Sequence, residues 1–247
     1  MSYGVFLLCS VLLPALGLAT ALHWTARSSP VRRAWLRRHW VGTAILALIA
    51  LVWTTPWDNV IIANGVWSYG EDRVIGTIGL VPVEEYGFMV FMPFFNAGLI
   101  GCLLLRRGVD GAHWRTPQPR ARRRALFFYT GLWLVGLACL AAEPAFYLSA
   151  LLLWFVPPLA LQAVFDPASL LRHWRLVAAG SLLPTVYFSV VDAFAIRSGI
   201  WQIHDATRTG LELGNLPIEE ALFFFTTSLL LAQGLVLWHT LFNPAGK

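Results

Sequence analysis

Two stretches decide how this chain is read: Gly79-Leu80-Val81-Pro82-Val83-Glu84-Glu85-Tyr86-Gly87-Phe88 and Gly214-Asn215-Leu216-Pro217-Ile218-Glu219-Glu220-Ala221-Leu222-Phe223. Gly, Pro, the Glu pair and Phe keep their places, and a long apolar run follows each copy. Adjacent carboxyls at the mouth of a membrane-length helix are costly unless used or paired, because charge near hydrocarbon loses its hydration. The likeness extends upstream. Asp58, Gly65 and Trp67 match Asp192, Gly199 and Trp201 at an offset of 134, and after one inserted residue the offset is 135 through the Glu pair. The repeated unit is a span ending in Asp, a Gly-x-Trp loop, and a Pro-started span opening with Glu-Glu.

Composition sets the surroundings. The 247 residues are 57% hydrophobic and 13% charged, with a mean hydropathy of +0.64. A water-soluble domain of this size could not bury that much apolar surface, which makes the chain a polytopic membrane protein of the all-α class. Seven runs approach the ~20 residues a bilayer core requires of a helix: Tyr3–Leu22, Val41–Trp57, Leu80–Leu105, Ala125–Ala142, Phe146–Val164, Leu176–Ile196 and Leu216–Leu241. The first lacks the positive n-region of a secretory signal and reads as a retained span. Pro157-Pro158 is expected to kink or break the fifth. Spans two and three correspond to spans six and seven, so the repeats are parallel and both Glu pairs face one side. A site formed where two such halves meet is the transporter-like arrangement. The division expected is residues 1–110 and 125–247 as two halves of one membrane domain, joined by a basic inner linker at 111–124.

Charge orients the spans. With the N-terminus outside and the C-terminus inside, 15 of the 18 basic residues fall on inner segments, and only Arg73, Arg197 and Arg208 fall outside. This is a positive-inside pattern. The acids do the reverse: Asp110 and Asp166 lie inside, and the other eleven lie at or near the outer ends. The net charge of +5 therefore describes anchors at a lipid surface; no basic-aromatic patch suited to nucleic acid is present. Cys9, Cys102 and Cys139 sit in apolar runs with no disulfide or metal spacing.

Pro82 and Pro217 suit the first turn of a helix, where a missing N–H is harmless. The Glu residues then lie near the positive end of the helix dipole. Acidic residues in a first turn are ordinary helix starts, but recurrence with Asp and Trp in register argues for a shared role. Neighbouring helical residues point about 100° apart, so one Glu of each pair can face the bundle while the other meets the loop. Glu84 shares a stripe with Phe88, Phe91 and Phe95, and Glu219 one with Phe223 and Thr226. Desolvation favours the neutral acid there and the helix N-terminus favours the carboxylate. Asp58 and Asp192 end apolar spans; Arg197 is an available ion-pair partner for Asp192. Trp67 and Trp201 are interfacial anchors by default. Glu143 and the His204-Asp205 pair read as loop residues. No dinucleotide fingerprint, phosphate loop, metal-spaced His/Cys set or nucleophile elbow occurs, so neither a cofactor nor a metal is expected.

The paired Pro-x-Glu-Glu segments, each after a Gly-x-Trp loop in a small polytopic chain, resemble the heterodimer-type, flavin-independent lycopene cyclases of bacteria. They are similar also to the cyclase domain of fungal bifunctional carotenoid enzymes. Here both halves lie in one chain. The resemblance covers essentially the whole sequence and is strongest at Asp58–Phe88 and Asp192–Phe223. It implies a bacterial cell membrane, an acyclic carotenoid substrate such as lycopene, and β-carotene as product. It implies acid/base chemistry without redox: a proton adds to a terminal double bond, the polyene attacks the cation, and a proton leaves. Glu84 and Glu219 are then the leading acid/base candidates, with Glu85 and Glu220 as orienters or alternates. Asp58 and Asp192 would support them, and Trp67, Trp201, Phe88 and Phe223 would line the pocket. A carotenoid hydratase would use the same protonation, and a proton-coupled transporter could use the same acids. A prenyltransferase lacks its Asp-rich clusters, and a retinal protein lacks its Lys, since the only one is Lys247.

Overall fold

The structure, a computed structural model, describes residues 1–70, 72–107 and 118–242. It is an all-α bundle. Its helices are α1 (Tyr3–Ala26), α2 (Pro30–Ala63), α3 (Val83–Arg107), α4 (Pro119–Cys139), α5 (Phe146–Phe165), the short α6 (Pro167–Arg172), α7 (Trp174–Arg197) and α8 (Ile218–Phe242). Six of these are long and apolar enough to cross a membrane. Helix α4, matching the fourth expected span, is 21 residues long but opens with Arg120, Arg122, Arg123 and Arg124. It starts inside the segment expected as linker; residues 111–117 of that linker, with Asp110, Arg115 and Lys247, lie outside the described residues.

Two expectations need correction. Helix α5 continues through Pro157-Pro158 without a break; the ring removes hydrogen bonds but does not forbid helical φ. Pro82 and Pro217 end two-residue strands immediately before α3 and α8. They stand one residue outside the helix, paired opposite Thr77 and Glu212.

The two copies of the motif have the same local structure. Helices α2 and α7 each end on a glycine at positive φ, Gly65 (67°) and Gly199 (64°). The following N–H reaches back five residues, Val66 to Ile61 at 3.0 Å and Ile200 to Ala195 at 3.1 Å. This is the Schellman closure, which a side-chain-bearing residue at the glycine position would strain. Next come β1 (Trp67–Tyr69) and β4 (Trp201–Ile203), which pair antiparallel with each other: Trp67 faces Ile203 and Tyr69 faces Trp201. The hairpins β2–β3 (Thr77–Ile78, Val81–Pro82) and β5–β6 (Glu212–Leu213, Leu216–Pro217) then lead into α3 and α8. Each helix start is tied back at 2.9 Å, Val83 N–H to the Gly76 carbonyl and Ile218 N–H to the Leu211 carbonyl. The β1–β4 ribbon thus brings both motif copies to one end of the bundle.

Close packing joins the remaining helices. Helix α7 passes α3 where Gly180 leaves no room for a Cβ beside Ile100, as small residues permit between membrane helices. Toward the opposite end His39, fully buried, donates through Nε2 to the Ala97 carbonyl at 2.9 Å. Its Nδ1 therefore accepts from Nε2 of His239, 3.0 Å away on α8. Helix α1 contains a π-helical stretch, Leu8–Leu12, whose Ser10 carbonyl accepts from Tyr187 of α7 at 2.9 Å. Such stretches expose backbone groups to partners outside the helix.

Candidate active site

The first turns of α3 and α8 divide each Glu pair between two tasks. Glu84 Oε1 accepts the Ile75 N–H at 2.9 Å. Its counterpart Glu219 Oε1 accepts both the N–H and the hydroxyl of Thr209, at 2.7 and 2.6 Å. Both side chains clamp the loop running into their own helix. The 100° step between neighbours turns Glu85 and Glu220 the other way, into the bundle.

There they meet one small chamber of about 40 Å³, walled by Tyr3, Trp67, Tyr69, Phe88, Asp192, Trp201, Phe223 and Phe224. Glu85 Oε1 accepts from the Tyr69 hydroxyl at 3.0 Å, and Tyr3 lines the chamber beside the same carboxyl. Glu220 Oε1 accepts from the Tyr147 hydroxyl at 2.8 Å and from Trp67 Nε1 at 2.9 Å. That last bond joins the two motif copies, from the strand after α2 to the first turn of α8. Trp201 donates instead to Asp192 Oδ1, at 2.9 Å, so Asp192 does not use Arg197; the ion pairs among the described residues are those of Arg208 with Asp205 and Glu212. Asp192 Oδ2 and Asp58 Oδ1 are buried without a partner.

Three acids therefore line one chamber, Asp192 (2% exposed), Glu220 (3%) and Glu85 (9%), and a fourth, Asp58 (2%), is buried close to both Glu residues. Among the described residues the chamber wall includes no Lys, Arg or His. Four uncompensated charges in such a place would repel one another and lack water, so the four cannot all be ionised together. Tyr69, in the loop above the bundle, has its phenol pKa held well above the usual value by burial and by the nearby acids Glu85 and Asp58. It stays a hydrogen-bond donor to Glu85.

Aromatic rings surround the acids. Trp57 stacks on Phe223 with centroids 5.4 Å apart and a 3° interplanar angle, and meets Trp67 edge-on. Tyr3 and Phe6 approach Trp201 edge-on at 5.0 and 5.2 Å. Their negative faces suit a transient carbocation. A proton donor, a proton acceptor and a dry cation-tolerant wall can thus be supplied from one place.

Asp192, Trp67, Trp201, Phe88, Phe223 and one Glu of each pair line the chamber, whereas Pro82 and Pro217 shape the approach to α3 and α8. Sequence reasoning missed Tyr3, Tyr69 and Tyr147. Tyr69 had a usable signal, because it lies two residues after Trp67 and so on the same strand face. Its repeat position is Ile203, which hid it. Tyr147 and Tyr3 belong to no motif. His204 bonds the Ser68 hydroxyl at 2.9 Å, outside the site.

Comparison with known proteins agrees with this picture. The family model described as lycopene cyclase matches residues 4–103 and 144–236. The chain is 36% identical over 239 residues to a lycopene beta-cyclase of Halobacterium salinarum, covering 96% of this chain and 95% of that protein. It is 32% identical to a bifunctional lycopene cyclase/phytoene synthase of Arthroderma gypseum, over 79% of this chain and 36% of the longer protein. A bifunctional protein of the same description from Phaffia rhodozyma is 34% identical, over 78% of this chain and 31% of its own length. No solved structure matches. A family match over most of the chain, together with full-length similarity to a protein of the same description, places this chain in the lycopene cyclase family.

Proposed function

We propose that this protein is a lycopene β-cyclase that closes the acyclic ends of a carotenoid such as lycopene by acid/base catalysis, with Glu85 and Glu220 as the acid/base pair. The observation that carries the reading is the convergence of these two carboxyls, one from each half, on a single aromatic-lined chamber. A carboxylic acid of the pair adds its proton to a carbon of the terminal double bond. The tertiary cation so formed is attacked by the next double bond, which makes the ring C–C bond and moves the cation into the ring. A carboxylate then removes a proton from the adjacent ring carbon, and the product is an isomer of the substrate. Which proton leaves sets the ring type, and the fixed placement of the base decides that.

Tyr69, Tyr147 and Trp67 orient the two carboxyls, while Asp58 and Asp192 set the field they work in. Glu84 and Glu219, the sequence-based first choice, are the less favoured pair because one oxygen of each holds its loop and neither side chain lines the chamber. The protein is integral to the membrane by its apolar helices. The orientation we propose puts the N-terminus and the acid chamber at the outer face, the C-terminus inside, and treats residues 1–110 and 125–247 as duplicated halves.

The test is pigment analysis of a lycopene-producing host expressing wild-type protein or Glu85→Gln/Glu220→Gln at matched protein levels. Cyclised carotenoid from wild type and unconverted lycopene from the double variant are expected. A wild-type product heavier by one water would make the protein a hydratase. No pigment change with wild type would favour a transporter.

A further inference from the structure

The acid chamber is too small for the work assigned to it. About 40 Å³ is room for roughly one to three waters, less than the end of an isoprenoid chain. Directly below it lies a second cavity of about 400 Å³ that shares Phe88 and Phe223 as walls. Its surface is almost wholly apolar, from α2 (Ile49, Ala50), α3 (Met92), α5 (Leu161) and α8 (Leu230), with few polar side chains.

The geometry points to this lower cavity as the binding site for the polyene chain of the carotenoid, entered sideways from the bilayer between α2 and α5, with Phe88 as the partition that yields to let the chain end reach Glu85 and Glu220. This rests on the cyclase reading above. Three observations carry it. First, the cavity extends along α2 from Thr54 to Leu46, a depth of roughly 12 Å at helical rise. A polyene long enough to cross the hydrocarbon core, about 30 Å, cannot fit inside and must project. Second, the place where it can project exists: Ile49 and Trp53 on α2 and Leu161 on α5 line the cavity yet are exposed at the bundle surface. Third, the two partition rings are held unequally. Phe223 is buried and stacked on Trp57; Phe88 is only half-buried and touches its aromatic neighbours edge-on, Phe188 at 5.8 Å and Phe224 at 6.3 Å.

The arrangement assigns specificity to two levels. The upper chamber acts only on an end group, and the lower cavity accepts any apolar chain thin enough to lie between α2 and α5.

The test uses binding apart from turnover. In the Glu85→Gln/Glu220→Gln protein, purified from lycopene-producing cells, lycopene should remain bound and be measurable by absorbance per chain. Adding Ala50→Trp should lower retention roughly ten- to hundred-fold, as overfilling a packed apolar site does. Ala50→Leu, with its shorter side chain, serves if the Trp variant does not fold. Leu182→Trp fills a different groove of about 1090 Å³ beside α4 and α7 and should leave retention unchanged. Undiminished lycopene in Ala50→Trp or Ala50→Leu, or a loss confined to Leu182→Trp, would overturn the site. Continued cyclisation in the Glu85→Gln/Glu220→Gln parent would overturn the acid assignment instead and leave the cavity standing.

Discussion

Replacing Glu220 by Gln and, separately, its neighbour Glu219 by Gln separates chemistry from scaffolding within one turn of α8. The Glu220→Gln side chain keeps an oxygen for Tyr147 and Trp67, which donate at 2.8 and 2.9 Å, so the fold should persist. What is lost is a transferable proton. A positioned general acid or base contributes typically 10²–10⁴-fold, equivalent to about 3–5 kcal/mol of barrier. The Glu219→Gln side chain likewise keeps an oxygen for the two Thr209 donors, but an amide accepts more weakly than a carboxyl group. Two bonds each weakened by about 1 kcal/mol lower stability by about 2 kcal/mol, with turnover per folded molecule changed only a few-fold. The assay is product formed from lycopene in isolated membranes, normalised to folded protein, alongside the thermal midpoint of the detergent-purified variants. An inactive but fully stable Glu219→Gln beside an active Glu220→Gln would refute the division of labour.

The first motif copy should behave the same way with smaller structural cost. Glu84→Gln weakens one backbone bond, from Ile75, and should lose about 1 kcal/mol of stability, whereas Glu85→Gln should lose activity at unchanged midpoint. Trp67→Phe removes one of the two donors to Glu220, keeps an aromatic ring in place, and is expected to slow turnover about tenfold, read as product per chain. Gly199→Ala forces a Cβ into the left-handed region and should cost about 1–2 kcal/mol, seen as a lower midpoint with normal activity in the cold. Arg208→Ala removes exposed pairs with Asp205 and Glu212 and should shift the midpoint by less than the glycine variant does, since surface ion pairs contribute about 0–1 kcal/mol.

Apolar runs and arginine placement specify a membrane bundle and its approximate helices, because hydrocarbon tolerates neither unpaired backbone nor stray charge. The recurrence of Asp, Gly, Trp, Pro and Glu-Glu locates the site region, because costly polar residues beside a membrane span repeat only under constraint. Helix ends were less legible: α2 runs from Pro30 to Ala63, well beyond its uncharged stretch, since arginines extend a helix into the headgroup layer without ending it.

Tertiary structure alone decided the rest. Which Glu of each pair turns inward depends on the hairpins β2–β3 and β5–β6, whose loops capture Glu84 and Glu219. The recruitment of Tyr3 and Tyr147, the bond from Trp67 to Glu220 in the other motif copy, and the stacking of a narrow acid chamber on a wider apolar cavity depend on packing between segments far apart in the chain. Local pattern records what each segment must bury, and it carries no information on which distant segment will do the burying.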